Sequence, residues 1–396
     1  MDGHPLHTAP FIFPNDAHPA WSIMIVLYPY ITGMVAGAFV VSSMYHVFHR
    51  EALKPVAKLA VVTSLCFCAC ATLPLLLHLH QPQRALNVMV TPSPSSAMAG
   101  FGFIYSGYML LLLVDVWLMF RPAIVARARS LTGRWGQLYR VLALGVLDIS
   151  PGAAAIDQRL ISALSVLGIP VACVLHGYVG FLFGAIKANP WWSTSLMPVI
   201  FLSSAIVSGI AVVILVYLFL CRWSGIEAEP ECMRALSRLL WMFLILAVAF
   251  EGVELLHIAY EQEAEWHVIR ELLGSKLRFS YGIVQILIGS LIPLLILPLP
   301  AFSHRLAARC RDSWSGVAAV LVLFQVLAMR WNVVVGGQLF SKSFRGFVDY
   351  PLTWWGREGL IAAAVVLAMP LVLLFGAMKI LPVWPPGIDD HEGTIQ

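Results

Sequence analysis

The chain has 396 residues, of which 60% are hydrophobic and only 12% charged, and its mean hydropathy is +0.83. A soluble domain carries roughly 25% charged residues, so this composition excludes an ordinary water-soluble enzyme and indicates a polytopic membrane protein. The formal net charge of +4 comes without any Lys- or Arg-rich run, which leaves nothing to track a nucleic-acid backbone.

No Lys or Arg precedes the first apolar stretch and no small-residue cleavage site follows it, so a retained first helix is expected rather than a cleaved signal. Apolar stretches near 21–47, 56–80, 98–120, 159–184, 196–221, 236–257, 277–298, 314–333 and 359–381 are each long enough for a ~30 Å hydrocarbon core at ~1.5 Å per residue. The segment Trp135–Ile149 is apolar but short, and Arg140 and Asp148 interrupt it. It reads as an amphipathic helix at the interface, with a tenth span as the alternative. The expected fold class is an all-α integral membrane protein of about nine transmembrane helices.

Charge sets the orientation. Arg50, Lys54, Lys58, Arg121, Arg127, Arg129, Arg134, Arg140 and Arg159 fall in alternate loops, as do Arg222, Arg234, Arg238, Arg305, Arg309 and Arg311, while the first two intervening loops hold only Arg84 and Lys187. The excess of positive charge marks the cytoplasmic side. It places the N-terminus outside (periplasmic in a bacterial inner membrane) and the C-terminus inside. The later outer loops also carry Arg270, Lys276, Lys342, Arg345 and Arg357 and are candidate docking surfaces.

Trp21, Trp191, Trp192, Trp314, Trp354, Trp355 and Trp384 sit near span ends, where interfacial anchors collect. Gly33 and Gly37, Gly180 and Gly184, and Gly102 and Ser106 are spaced by four. Such pairs let helix backbones approach closely in lipid, so spans one, three and four are expected to pack together. Cys66, Cys68, Cys70 and Cys173 lie inside apolar spans and read as small hydrophobes rather than ligands.

Ionisable and hydroxyl side chains inside the spans are the functional signal, because a charge at mid-bilayer costs at least ~2.5–3.5 kcal/mol. With the N-terminus outside, Tyr28 and Tyr30 (span one), His78 (span two), Tyr105 and Tyr108 (span three) and His176 (span four) share the outer half. A quinone headgroup needs such donors, since its two carbonyls accept hydrogen bonds, and a neutral His or a Tyr hydroxyl can both donate and accept. A lone Tyr or His would be read as packing or as a bond between helices; the shared level favours a site. Span six carries Glu251, Glu254 and His257 at spacings of three, roughly on one helix face. Two carboxylates so close in low dielectric resist double ionisation, which suits a proton relay, although mutual neutralisation for packing is the alternative. Arg330 in span eight is the candidate counter-charge for Glu251 or Glu254. Asp115 either opens a cytoplasmic proton path or pairs with Arg121. The Glu-x-x-His spacing is half of a di-iron site, and the second half is missing from the sequence. A b-type haem would need two facing His at one depth, which His78, His176 and His257 could supply. His46 and His49 read as interfacial.

The stretches Pro170–Gly177 around His176, Lys187–Trp192, Leu196–Gly209 and Arg330–Gln338 resemble the NrfD/PsrC family of polysulfide-reductase-type membrane subunits. The last stretch and the extra C-terminal span are similar to a longer HybB/DsrP-like subgroup. The resemblance implies two tandem four-helix bundles, here 1–190 and 191–335, followed by 336–396 as an outer loop, one more span and a cytoplasmic tail. It implies a quinone pocket in the first bundle near the outer face and no tightly bound metal cofactor in the chain. Electrons would arrive through a periplasmic-side ferredoxin-like iron–sulfur subunit. His176 is the position carried over most directly; the family's first-span Asn and His are replaced here by Tyr28, Tyr30 and Thr32. The expected function is a quinone-interacting subunit of a respiratory or sulfur-metabolising redox complex, not catalytic alone, using menaquinone or ubiquinone as substrate. His176, Tyr105 and Tyr108 would act at the headgroup with Tyr28, Tyr30 and His78, and Asp115, Glu251, Glu254, His257 and Arg330 would carry protons. The alternatives are a haem-b anchor and a proton-coupled transporter.

Overall fold

A computed structural model describes residues 19–93, 95–261, 264–340 and 346–381; Trp384, Lys342 and Arg345 lie outside them. Among the described residues, nine helices are long and apolar enough to cross a membrane. They are α1 (Ile23–His46), α2 (Glu51–His78), α3 (Ala97–Ser130), α4 (Pro151–Gly184), α5 (Met197–Trp223), α6 (Pro230–Glu261), α7 (Arg278–Phe302), α8 (Ala308–Gln338) and α9 (Leu360–Ile380). The protein is a multi-pass, all-α membrane protein.

Local chemistry sets the helix ends. Ser22 caps α1, its hydroxyl accepting the Met24 N–H at 3.3 Å. Ser150 caps α4 by accepting from Ala153 N–H at 3.3 Å, and Pro151 follows at the first position, where its missing N–H costs nothing. Asp148 pins the loop before it: the backbone N–H and the hydroxyl of Ser150 hold its carboxyl below the usual carboxylate range. Pro74 breaks α2 after Cys70, because a proline ring clashes with the carbonyl four residues back.

Several helices outrun the apolar stretches that announce them. α3 continues past Arg121 because that side chain is buried in an ion pair with Asp157 at 2.7 Å and donates to the Asp148 carbonyl at 2.8 Å. Arg121 is therefore not the partner of Asp115. The helix Gly133–Leu142 has only 10 residues, about 15 Å, so the tenth span does not form. Tyr139 of this helix and Arg127 of α3 instead hold the end of α9, both donating to the Ile380 carbonyl at 2.9 and 2.6 Å.

α1 is the central element: 94% of its apolar window is buried, against α2, α4, α5 and α8. α5 is its closest neighbour. A Cβ on Gly37 or Gly209 would fall into the backbone of the other helix, so the two backbones touch there. Spans one and four, and spans three and four, pack against each other as expected, but most of the small residues face other helices. Gly33 opens onto His176 of α4 and Ala205 of α5, Gly37 onto Ala205 and Gly209 of α5, Gly180 and Gly184 onto Met197, Pro198 and Thr194, and Gly102 onto Met89. α9 lies against α2. Trp354 and Trp355 are exposed, whereas Trp192 is buried in the protein rather than anchored in an interface.

Candidate functional site

The most constrained polar group is Arg330, fully buried on α8. Its Nη2 donates to Oγ of Ser204 at 2.8 Å, Nε2 of His176 at 3.0 Å and the Phe201 carbonyl at 3.2 Å. Its guanidinium lies over the Phe201 ring, 3.8 Å from the centroid. A guanidinium only donates, so Nε2 of His176 is the acceptor, the imidazole is neutral, and its hydrogen sits on Nδ1. That Nδ1 is buried without a partner. Gly33 makes room beside it: a Cβ there would stand 3.2 Å from Cε1 of His176. Four helices, α1, α4, α5 and α8, therefore fix one imidazole.

The tyrosines divide. Among the described residues, the hydroxyls of Tyr28 and Tyr108 are buried and form no hydrogen bond, with Tyr28 edge-on to Phe101 and Tyr108 edge-on to Phe39 and near Ser64. Tyr30 turns the other way and donates to the Leu323 carbonyl on α8 at 3.2 Å. Tyr105 donates to the Cys68 carbonyl at 2.6 Å, in the part of α2 just before its break. His78, at the rim, shares Nδ1 between Glu358 at 2.8 Å and Ser22 at 3.2 Å. The six outer-half side chains thus split into three unsatisfied buried atoms and three groups engaged elsewhere. Between α3 and α4 an apolar groove of about 650 Å³ runs past Phe103, Gly107, Leu111, Leu167 and Pro170. Deeper in α3, both carboxyl oxygens of Asp115 are buried without a partner.

The second cluster belongs to α6, α7 and α8. Glu251 accepts from Nε2 of Gln285 at 2.8 Å and Nε2 of Gln325 at 3.0 Å. Behind Gln285 the chain continues: Asn332 Nδ2 donates to Gln285 Oε1 at 2.8 Å, and Ser280 donates to Asn332 Oδ1 at 2.6 Å. Every donor points toward Glu251, and both its oxygens accept from amide groups. That is the pattern of a carboxylate. Glu254 differs: one oxygen accepts from Thr194 at 2.9 Å and the other is buried and free. Both acids border a cavity of about 50 Å³ lined also by Trp191, Tyr281 and Asn332. One water occupies ~30 Å³ in the liquid, so the space suits one or two. Arg330 forms no ion pair with either acid among the described residues, although Glu251 acts on it through space. His257 is separate. Its side chain is 56% exposed and faces Glu261 at 3.4 Å. Three residues turn a helix by less than a full circle, so two such steps carry His257 off the buried face.

Residues 13–342 match the family described as "Polysulphide reductase, NrfD". The chain belongs to the NrfD family. Among relatives, a selenate reductase subunit of Mesobacillus selenatarsenatis is 27% identical over 92% of this chain and 88% of its own length. An Hdr-like menaquinol oxidoreductase integral membrane subunit of Archaeoglobus fulgidus is 22% identical over 82% of this chain and 72% of the relative. A putative dimethyl sulfoxide reductase membrane subunit of Halobacterium salinarum is 26% identical over 73% of this chain and 63% of the relative.

Two of the stretches that carry the NrfD-family resemblance meet in space. The loop after α4 packs on the end of α8: Asn189 Nδ2 donates to the Gly337 carbonyl at 2.7 Å, Trp191 Nε1 to the Asn332 carbonyl at 3.1 Å, and Trp192 Nε1 to the Val333 carbonyl at 2.6 Å. Trp192 also stacks on Trp21, centroids 4.9 Å apart, and any side chain at Gly337 would collide with its indole. This clamp sets the height of Arg330 and Asn332. Gln285, Gln325, Asn332, Ser280 and Thr194 are absent from the candidates that the sequence suggests. A signal for them exists, because Gln285, Gln325 and Asn332 are uncharged amides inside apolar spans, and a buried amide needs partners as surely as a charge does.

Proposed function

We propose that this NrfD-family protein is the quinone-reactive membrane subunit of a multi-subunit reductase complex. The supporting observation is the His176 site: a neutral imidazole held by a buried arginine, with Nδ1–H free, in a bundle that also buries the unpaired hydroxyls of Tyr28 on α1 and Tyr108 on α3. Buried donors without acceptors cost ~1–3 kcal/mol each, and a two-carbonyl headgroup would satisfy them. The groove between α3 and α4 suits an isoprenoid tail. A quinone supplies two-electron chemistry coupled to proton transfer, and menaquinone and ubiquinone are the candidates. The relatives named as a menaquinol oxidoreductase subunit and a selenate reductase subunit point to the same class.

In this reading His176 donates from Nδ1 to a headgroup oxygen, or takes the proton back on oxidation. Arg330 keeps Nε2 occupied, so exchange runs through one nitrogen only. Tyr28 and Tyr108 orient the ring from the other side, and Tyr105, Tyr30 and His78 support the helices that carry them. Glu254, with one oxygen unpaired beside that cavity, is the proton-bearing acid of the second cluster, with Glu251 as the fixed carboxylate whose charge balances Arg330. Asp115 is the entry toward the basic face. α1–α4 and α5–α8 act as the two tandem bundles. A ferredoxin-like iron–sulfur subunit docks on the outer face, in a bacterial cytoplasmic membrane with the N-terminus periplasmic. Replacing His176 with Ala should lower quinol turnover of the assembled complex by about a hundred-fold or more while the complex still assembles. Undiminished turnover in that variant rejects the assignment.

A further inference from the structure

At the end of the molecule opposite to His176, a groove of about 1040 Å³ opens between the last turns of α5 and the first turns of α8. Its inner walls are apolar: Leu218 and Phe219 on one side, Val317 and Val320 on the other. Phe219 is held upright by an edge contact with Phe375 of α9, centroids 5.5 Å apart. Gly316 keeps the groove wide, since even a Cβ there would only just touch Leu218, at 3.4 Å. The mouth is polar. Arg222 and Arg309 line it and are exposed, and among the described residues neither guanidinium forms a hydrogen bond or an ion pair. Of the two acids at the mouth, Asp312 is bonded to Arg311 at 3.1 Å and is also near Arg222, and Glu227 faces solvent, so with Arg311 the arginines outnumber the acids by one. An occupant must therefore be apolar for most of its length and anionic at one end, with the anion at the level where α5 and α8 leave the membrane.

We infer that this groove binds one anionic diacyl phospholipid, its acyl chains against Phe219, Val317 and Val320 and its phosphate between Arg222 and Arg309. The guanidinium fork matches phosphate oxygens in geometry as well as charge. A glycerol headgroup adds no cation, whereas a choline headgroup would bring a positive charge against two guanidiniums. The site is independent of any quinone chemistry. Its physical role is to bridge α5 and α8, the helices that hold Ser204 and Arg330 at their far ends.

The test is native mass spectrometry of the full-length chain in mild detergent, titrated with phosphatidylglycerol or phosphatidylcholine. Wild type should retain one phosphatidylglycerol per chain and bind phosphatidylcholine more weakly. The double variant Arg222→Gln/Arg309→Gln should bind phosphatidylglycerol about thirty-fold more weakly. Gly316→Leu should lose both lipids without any change of charge, because it fills the groove. Equal retention of the two lipids by wild type overturns the inference even if the variants fail to fold. Undiminished binding in the double variant, or a quinone or protein segment found in place of phospholipid, overturns it as well.

Discussion

At the scale of single residues, Arg330 has the arrangement that most needs a reason. Burying a guanidinium costs several kcal/mol after relaxation, and here three acceptors and one aromatic face offset that cost without a direct carboxylate. An apolar replacement of similar length removes the cost together with the bonds. Arg330→Met also strands the Glu251 carboxylate that the guanidinium balances, so assembly is expected to fall, and the assembled fraction should lose at least about ten-fold in quinol turnover because Nε2 of His176 is no longer held. Full turnover would make the arginine a packing device. The two glutamates predict opposite outcomes. Gln at 251 would set an amide N–H₂ against amide donors and leave buried groups unpaired, costing about 1–3 kcal/mol. Gln at 254 keeps the acceptor for Thr194 and gives up only the exchangeable proton. Glu251→Gln should lower the melting temperature, read by fluorescence-detected size exclusion on heating. Glu254→Gln should leave it unchanged and slow proton-coupled turnover. The reverse pattern would exchange their roles.

At the scale of elements, the decisive contact is α1 on α5. Gly209→Val puts branched carbon where Gly37 has backbone, and overpacking of that kind costs about 1–3 kcal/mol or more. Gly252→Ala on α6 meets nothing within 4 Å and is the matched control. Protein recovered from membranes should drop sharply for the first and not for the second. The existence of nine spans is legible in the sequence because length and apolarity suffice in a bilayer. What lies outside that logic is whatever depends on neighbours: that Gly37 answers to α5, that Tyr30 turns toward α8, that Arg330 meets an imidazole and not a glutamate. The run Arg278–Leu291 of α7 is π-helical, a rare form that concentrates at functional sites. It helps bring Ser280, Tyr281 and Gln285 to the acid cluster, and no periodicity in the sequence announces it. His257 departs from expectation for a plainer reason: two short steps round a helix do not stay on one face.

At the scale of the whole molecule, the polar chemistry and the positive charge occupy opposite ends. His176 lies 8 residues before the end of α4 at Gly184, and Arg330 lies 8 before the end of α8 at Gln338, so both sit roughly 12 Å in from the same face. Arg222, Arg309 and Arg311 mark the other end of α5 and the start of α8. If that basic end is cytoplasmic, the quinone proposed beside His176 lies toward the outer face, and a partner that delivers electrons to it would dock there. One native residue reports this directly. Cys310 is exposed at the start of α8, while the other six cysteines are buried or half-buried. In intact cells an impermeant maleimide should leave Cys310 unmodified and should label it once the membrane is opened. A cysteine in place of Lys187, exposed in the loop after α4, should label without opening. The opposite result would turn the molecule over, move the electron entry to the cytoplasm and require that the iron–sulfur partner be sought there.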